Sequence, residues 1–115
     1  MLIIDRPKST TILFADLFER HGWNVAICGD RQCAIQRLTG EWPYDSILVG
    51  RVSGTDEVQL VGLIRGFAHG KTAAVVVITE RNEVREEILA AGADELFLKP
   101  VNPNALICSV DKHVS

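Results

Sequence analysis

Aromatic side chains are scarce in this sequence, 6% of residues, too few for the stacking surface of a carbohydrate or single-strand nucleic-acid binder. No stretch of about 18 consecutive apolar residues occurs, so no membrane-spanning helix is expected. The first residues lack a basic segment ahead of an apolar one, and no secretory leader is expected. Cysteine is sparse and odd in number. Cys28, Cys33 and Cys108 form no Cys-x-x-Cys, and His21, His69 and His113 stand apart from them and from each other. A disulfide framework and a zinc site are therefore not expected, and a reduced, cytoplasmic setting is. Basic charge is in deficit: 12 Lys and Arg against 15 Asp and Glu give a net charge of −3. That is the wrong sign for direct binding to a nucleic-acid backbone.

What is present is apolar residue in the right amount for one core. The chain has 115 residues, 47% of them apolar, which corresponds to a single domain over residues 1–115 burying about two-thirds of its unfolded surface. Short apolar runs alternate with segments of helical period. Leu2-Ile3-Ile4 reads as a strand. Ser9 or Thr10 caps a helix with Leu13, Phe14, Leu17 and Phe18 on one face, stopped at Gly22. Trp23 to Ile27 is a second strand, and Asp30 caps a helix carrying Cys33, Ala34, Ile35 and Leu38. A turn at residues 41–44 centres on Pro43. Ser46 to Val49 is a third strand without polar alternation, as in a sheet covered on both faces.

After a loop from Gly50 to Thr55, Val58, Val61, Ile64 and Phe67 mark a third helix. Ala73 to Ile78 is the most apolar strand and belongs at the centre of the sheet. Asn82 starts a fourth helix with Val84, Ile88 and Ala91 inward, ended by Gly92. Glu95 to Leu98 is a fifth strand. Asn102 and Pro103 open a fifth helix with Leu106, Ile107, Val110 and Val114 on one side. Five strands alternating with five helices imply βαβ units and a parallel sheet. Ligands of such sheets gather at the carboxyl ends of the strands.

Several chemistries fail at those strand ends. A dinucleotide site needs a glycine-rich turn after the first strand, and Asp5-Arg6-Pro7-Lys8-Ser9-Thr10 contains no glycine. Gly70-Lys71-Thr72 looks like the end of a phosphate loop, but Arg65 stands where its first glycine belongs, and a strand follows rather than a helix. No Gly-x-Ser-x-Gly exists. Cys33, in the first turn of a helix, is better read as a small core residue than as a redox thiol. What remains is an acid, a hydroxyl and an amine on one rim: Asp5, Thr79 and Lys99.

With Leu2-Ile3-Ile4-Asp5, Tyr44-Asp45-Ser46-Ile47-Leu48-Val49, Val75-Val76-Val77-Ile78-Thr79, Ala91-Gly92-Ala93-Asp94 and Leu98-Lys99-Pro100 in this order, the whole chain resembles the receiver domain of bacterial two-component response regulators. The resemblance implies a flavodoxin-like, five-stranded α/β sandwich of order 2-1-3-4-5. It also implies a pocket in which an aspartate after the third strand takes a phosphoryl group, paired acids after the first strand hold Mg²⁺, and Thr79 and Lys99 bind the phosphoryl oxygens. Carried over by position, the acceptor is Gly50, the second acid is Arg6, and the aromatic switch residue is Leu96. Glycine offers no nucleophile, and a guanidinium sits where a cation would bind.

The expectation is therefore a pseudo-receiver, not an enzyme. It would use no metal or cofactor and would regulate by protein contact without aspartyl phosphorylation. Its partner would be a signalling protein or fused effector domain, or a second copy docked through the face of the fourth helix, fifth strand and fifth helix, including Arg85, Glu86, Leu96 and Lys112. The alternative is a sensor of an anion or small metabolite, with Arg6, Thr79, Lys99 and loop N–H groups as the cradle. Against that alternative stands a simple Lys99–Asp5 ion pair. A spare carboxylate such as Asp56 entering the vacated acceptor position with a divalent ion would overturn the inert reading.

Overall fold

The structure is a computed structural model that describes residues 1–6, 8–40 and 43–114, with the side chain of Ser9 left aside. Its elements run β1 (Leu2–Ile4), α1 (Ser9–Arg20), β2 (Ala26–Cys28), α2 (Arg31–Leu38), β3 (Ser46–Val49), α3 (Glu57–Arg65), α4 (Ala68–Lys71), β4 (Ala74–Thr79), α5 (Arg85–Ala91), β5 (Glu95–Leu98) and α6 (Pro103–Val114). All strand pairings are parallel, in the order β2-β1-β3-β4-β5. This is the expected flavodoxin-like topology.

Side-chain alternation along the strands divides the core into two layers. Leu2, Ile4, Ile47, Val49, Val75 and Val77 pack with Leu60, Val61, Ile64 and Ile88 from α3 and α5. Ile3, Leu48, Val76 and Ile78 face the other way, toward Phe18 of α1 and Leu106, Ile107 and Val110 of α6. β4 is buried along its whole length, as a central strand covered on both faces must be.

Local signals set several boundaries. Asp30 caps α2 by accepting from the Cys33 N–H at 2.7 Å. Asn102 accepts from the N–H groups of Asn104 and Ala105 at the start of α6. The N-cap of α1 is Lys8, which makes no side-chain capping bond, so Thr10 lies within the helix rather than before it. The expected fourth helix divides into a 3₁₀ turn, Asn82–Val84, and α5. One helical turn, α4, was not foreseen. The expected turn at 41–44 includes residues 41 and 42, which lie outside the described residues.

The glycine of Gly70-Lys71-Thr72 has a packing role. A Cβ there would collide with the carbonyl of Ile64 at the end of α3. Arg65 accounts for much of the remaining loop order. It donates from Nε and Nη2 to the Gly92 carbonyl, at 2.9 and 2.7 Å, and from Nη1 to the carbonyls of Gly70 and Ala73, each at 2.8 Å. Its Nη2 also meets Asp94 Oδ2 at 3.0 Å. Asp94 in turn accepts from the Val75 N–H at 2.9 Å. The Ala-Gly-Ala-Asp segment is thus a joint between α3, β4 and β5.

One expectation is corrected. Cys28, at the end of β2, and Cys33, in the first turn of α2, form a disulfide, with Cα atoms 5.4 Å apart. The β2–α2 loop brings together two residues that a Cys-x-x-Cys template does not detect. Cys108 is free and exposed.

Candidate functional site

Asp5 follows β1, and its carboxylate lies over the start of the β3–α3 loop. It accepts hydrogen bonds from the Arg6 N–H at 2.9 Å, the Arg51 N–H at 3.2 Å and the Thr11 hydroxyl at 3.3 Å. Its ion-pair partner is Lys8, at 3.8 Å. Gly50, at the acceptor position, is buried directly beneath it. A Cβ at Gly50 would collide with the Asp5 carboxylate, standing 2.8 Å from Oδ2. Position 50 has no side chain, and the space a Cβ would take there is filled by Asp5.

Thr79 ends β4 and is buried. Its hydroxyl donates to Oε2 of Glu57 and accepts from the Arg81 N–H at 3.0 Å. Glu57 is the residue that sequence reasoning missed. It stands in the first turn of α3 with its side chain wholly buried, 0% exposed, a position charged residues almost never take unless paired. Two arginines bracket its Oε1, which has no hydrogen-bond partner. Arg51 Nε is 3.5 Å away and Arg81 Nη1 is 3.7 Å away. A capping box between Asp56 and Gln59 fixes the helix start that carries it. Asp56 itself stays outside as the cap, 3.8 Å from Arg81.

The signal for Glu57 was available. The stripe Val58-Val61-Ile64-Phe67 omits it, whereas Glu57-Leu60-Val61-Ile64 has the i, i+3, i+4, i+7 spacing of the face that is actually buried. A glutamate on that apolar face is the informative departure.

Lys99 follows β5 on the same rim. The expected Lys99–Asp5 pair is not formed: among the described residues no carboxylate lies within 4.0 Å of its ammonium. Burial, and then the adjacent Lys8 ammonium, lower its pKa below that of an ordinary lysine, with Asp5 and Glu80 pulling the other way. The side chain of Arg6 is exposed at the mouth. Together these residues line a cleft of about 130 Å³ with five cationic side chains (Arg6, Lys8, Arg51, Arg81, Lys99) against three carboxylates (Asp5, Glu57, Glu80).

Two chemical consequences follow. Mg²⁺ needs oxygen ligands, and here Gly50 offers no side-chain oxygen, Arg6 brings a guanidinium, and the Asp5 oxygens are engaged by two N–H groups and a hydroxyl. The residues present do not fit that ion. The anion cradle expected from Arg6, Thr79, Lys99 and loop N–H groups is not free either. Thr79 is committed to Glu57, and the Arg6 and Arg51 N–H groups are committed to Asp5.

The expected docking face is also revised. Arg85 and Glu86 on α5 and Lys112 on α6 are exposed, but Leu96 is buried, 7% exposed, in the α3–α5 layer with Val84 and Ile88. The Leu96 side chain fills core. Leu98, 40% exposed, is the residue β5 presents outward. No helix among the described residues is long and apolar enough to cross a membrane.

No family model matches the chain. Among curated proteins it is 23% identical over 112 residues to the phosphate regulon transcriptional regulatory protein PhoB of Klebsiella pneumoniae, covering 96% of this chain and 49% of that one. The chain therefore spans about half the length of this relative. It is 28% identical over 117 aligned positions to an uncharacterized 14.6 kDa protein of Leptolyngbya boryana, covering 98% of this chain and 88% of the other. Among solved structures, a two-component response regulator from Clostridium difficile superposes with a TM-score of 0.86 at 26% identity, covering 98% of this chain and 93% of that one. Over its described length the chain has the receiver-domain fold of two-component response regulators.

Proposed function

We propose that this domain is a receiver-type signalling module that works through protein contacts and takes up no phosphoryl group on an aspartate. The observation that carries the reading is the state of the pocket. The acceptor position is Gly50, closed over by Asp5, and a carboxylate from within the chain, Glu57, already engages the hydroxyl of Thr79. An acyl phosphate requires a carboxylate nucleophile, and the position that would supply it has no side chain. A built-in anion on Thr79 would hold the β4–α5 region in one arrangement instead of switching it.

Partner binding is assigned to the α5–β5–α6 side, where Arg85, Glu86, Leu98 and Lys112 are exposed. The partner is a signalling protein, a second copy, or an effector domain in the same polypeptide. The greater length of the PhoB relative, a transcriptional regulator by name, favours the last of these. A role other than catalysis belongs to the same proposal.

The test is direct. The domain is incubated with acetyl phosphate and Mg²⁺, and its intact mass is measured. No gain of a phosphoryl group is expected; a single adduct released by mild base would overturn the reading.

A further inference from the structure

Besides the cleft around Thr79, the described residues form a groove of about 790 Å³ between α1 and the segment entering α6, lined by Ile3, Leu48 and Ile78. Leu13, Phe14 and Leu17 wall it on one side, Val101 and Pro103 on the other. Leu13 is 64% exposed, although it points into a space lined by other apolar side chains. The volume is within the range of small-molecule sites, roughly 300–1,000 Å³.

One end of the groove opens on Lys99. That ammonium has no carboxylate within 4.0 Å among the described residues, because Asp5 pairs with Lys8. The far end is bounded by Asp16 and Arg20, which pair with each other at 3.0 Å. Both ends are thus polar, but only the Lys99 end carries a cation without a close anion. At the helical rise of about 1.5 Å per residue, Thr10 and Arg20, both on the groove, are roughly 15 Å apart along α1.

We propose that this groove binds an amphiphilic organic anion, with a carboxylate head against Lys99 and an unbranched apolar tail of medium length along Leu13, Phe14 and Leu17. At the head of the groove Lys8 and Lys99 face Asp5 and Glu80, whereas Arg6, Arg51 and Arg81 line the adjoining cleft and not the groove, so one added negative charge is better matched there than two. The apolar walls favour a tail, which a free inorganic anion lacks. The groove is lined by neither Glu57 nor Thr79, although it shares Asp5, Lys8, Glu80 and Lys99 with the cleft beside them.

The experiment is an amide NMR titration of the intact chain with decanoate, with decyltrimethylammonium, and with inorganic phosphate. Saturable shifts confined to α1 and the Val101 region are expected for decanoate alone. Lys99→Gln is expected to weaken decanoate at least tenfold. Leu13→Asn, a change at an exposed position that leaves folding intact, is expected to do the same. The absence of saturable decanoate binding overturns the proposal. So does equal binding of the cationic amphiphile, binding of phosphate in place of decanoate, or an unchanged affinity in both variants.

Discussion

The carboxylate of Glu57, from the first turn of α3, accepts the hydroxyl proton of Thr79 at the end of β4, two residues that the sequence separates by 22 positions. Thr79 stands where the resemblance to receiver domains places a hydroxyl that meets a phosphoryl oxygen. Here it meets an oxygen of the chain itself. Arg51 and Arg81 flank the same carboxylate, so two loops and a helix start are tied together around one buried charge.

Removing that charge leaves its partners stranded. Glu57→Ala is expected to cost about 3–5 kcal/mol, the range for breaking a buried charge pair from one side. Glu57→Gln keeps an acceptor for Thr79 and is expected to cost less than half as much. Acetate or phosphate added to Glu57→Ala should refill the vacated place and raise its melting temperature more than that of the wild type. Urea denaturation and thermal melts measure both effects. A loss within the scale of an ordinary surface substitution, about 0.5 kcal/mol, would show that the buried carboxylate holds nothing together.

Gly50 is fixed by a neighbour and not by its own backbone. Three groups hold Asp5 in place above it, the Arg6 and Arg51 N–H groups and the Thr11 hydroxyl, so the carboxylate cannot swing aside without losing them. Gly50→Ala is therefore expected to destabilise by about 1–3 kcal/mol through overpacking. In an Asp5→Ala background the same change should be nearly free. A double-mutant cycle by urea denaturation reads the coupling; additive costs would refute the steric account.

The sheet was legible because its signals are local and repeated. Ala74 to Ile78 is apolar throughout, and β4 is buried along its length; the strand-end rule brings Asp5, Thr79 and Lys99 to one rim without knowledge of side-chain contacts. The errors have physical reasons. Glu57 escaped because a charged residue on an apolar face is skipped when the face is traced through valines. Analogy of position puts Leu96 on the surface, whereas β5 turns it into the α3–α5 layer and turns Leu98 out. Shared location suggests a Lys99–Asp5 pair, but Lys8 is the residue that reaches Asp5. Arg65 gave no sign of its role, since an arginine in the last turn of a helix reads as a solvated cap. Its targets are carbonyls up to 27 residues away in sequence.

At the other end of the sheet, Glu95 on β5 accepts from the Ser109 hydroxyl and from His113 Nε2, at 2.9 Å for the latter, both on α6. The Ser109 hydrogen bond is the largest influence holding the Glu95 carboxyl below its ordinary value of 4.5, with further contributions from His113 and Lys112 and with desolvation opposing. A carboxylate whose pKa is lowered on folding adds stability above its unfolded-state value. That stability is lost as pH falls through the folded value. The wild type should therefore exceed Glu95→Gln in stability at neutral pH, and the difference should shrink below about pH 4.5. Glu95 is 38% exposed, so after allowance for solvent screening the effect belongs to the scale of surface pairs, about 0.2–1 kcal/mol. Side-chain carboxyl NMR separates the causes. Ser109→Ala should raise the Glu95 pKa more than His113→Gln does. If Ser109→Ala leaves the Glu95 titration where it was, the hydroxyl is not what tethers α6 to the edge strand.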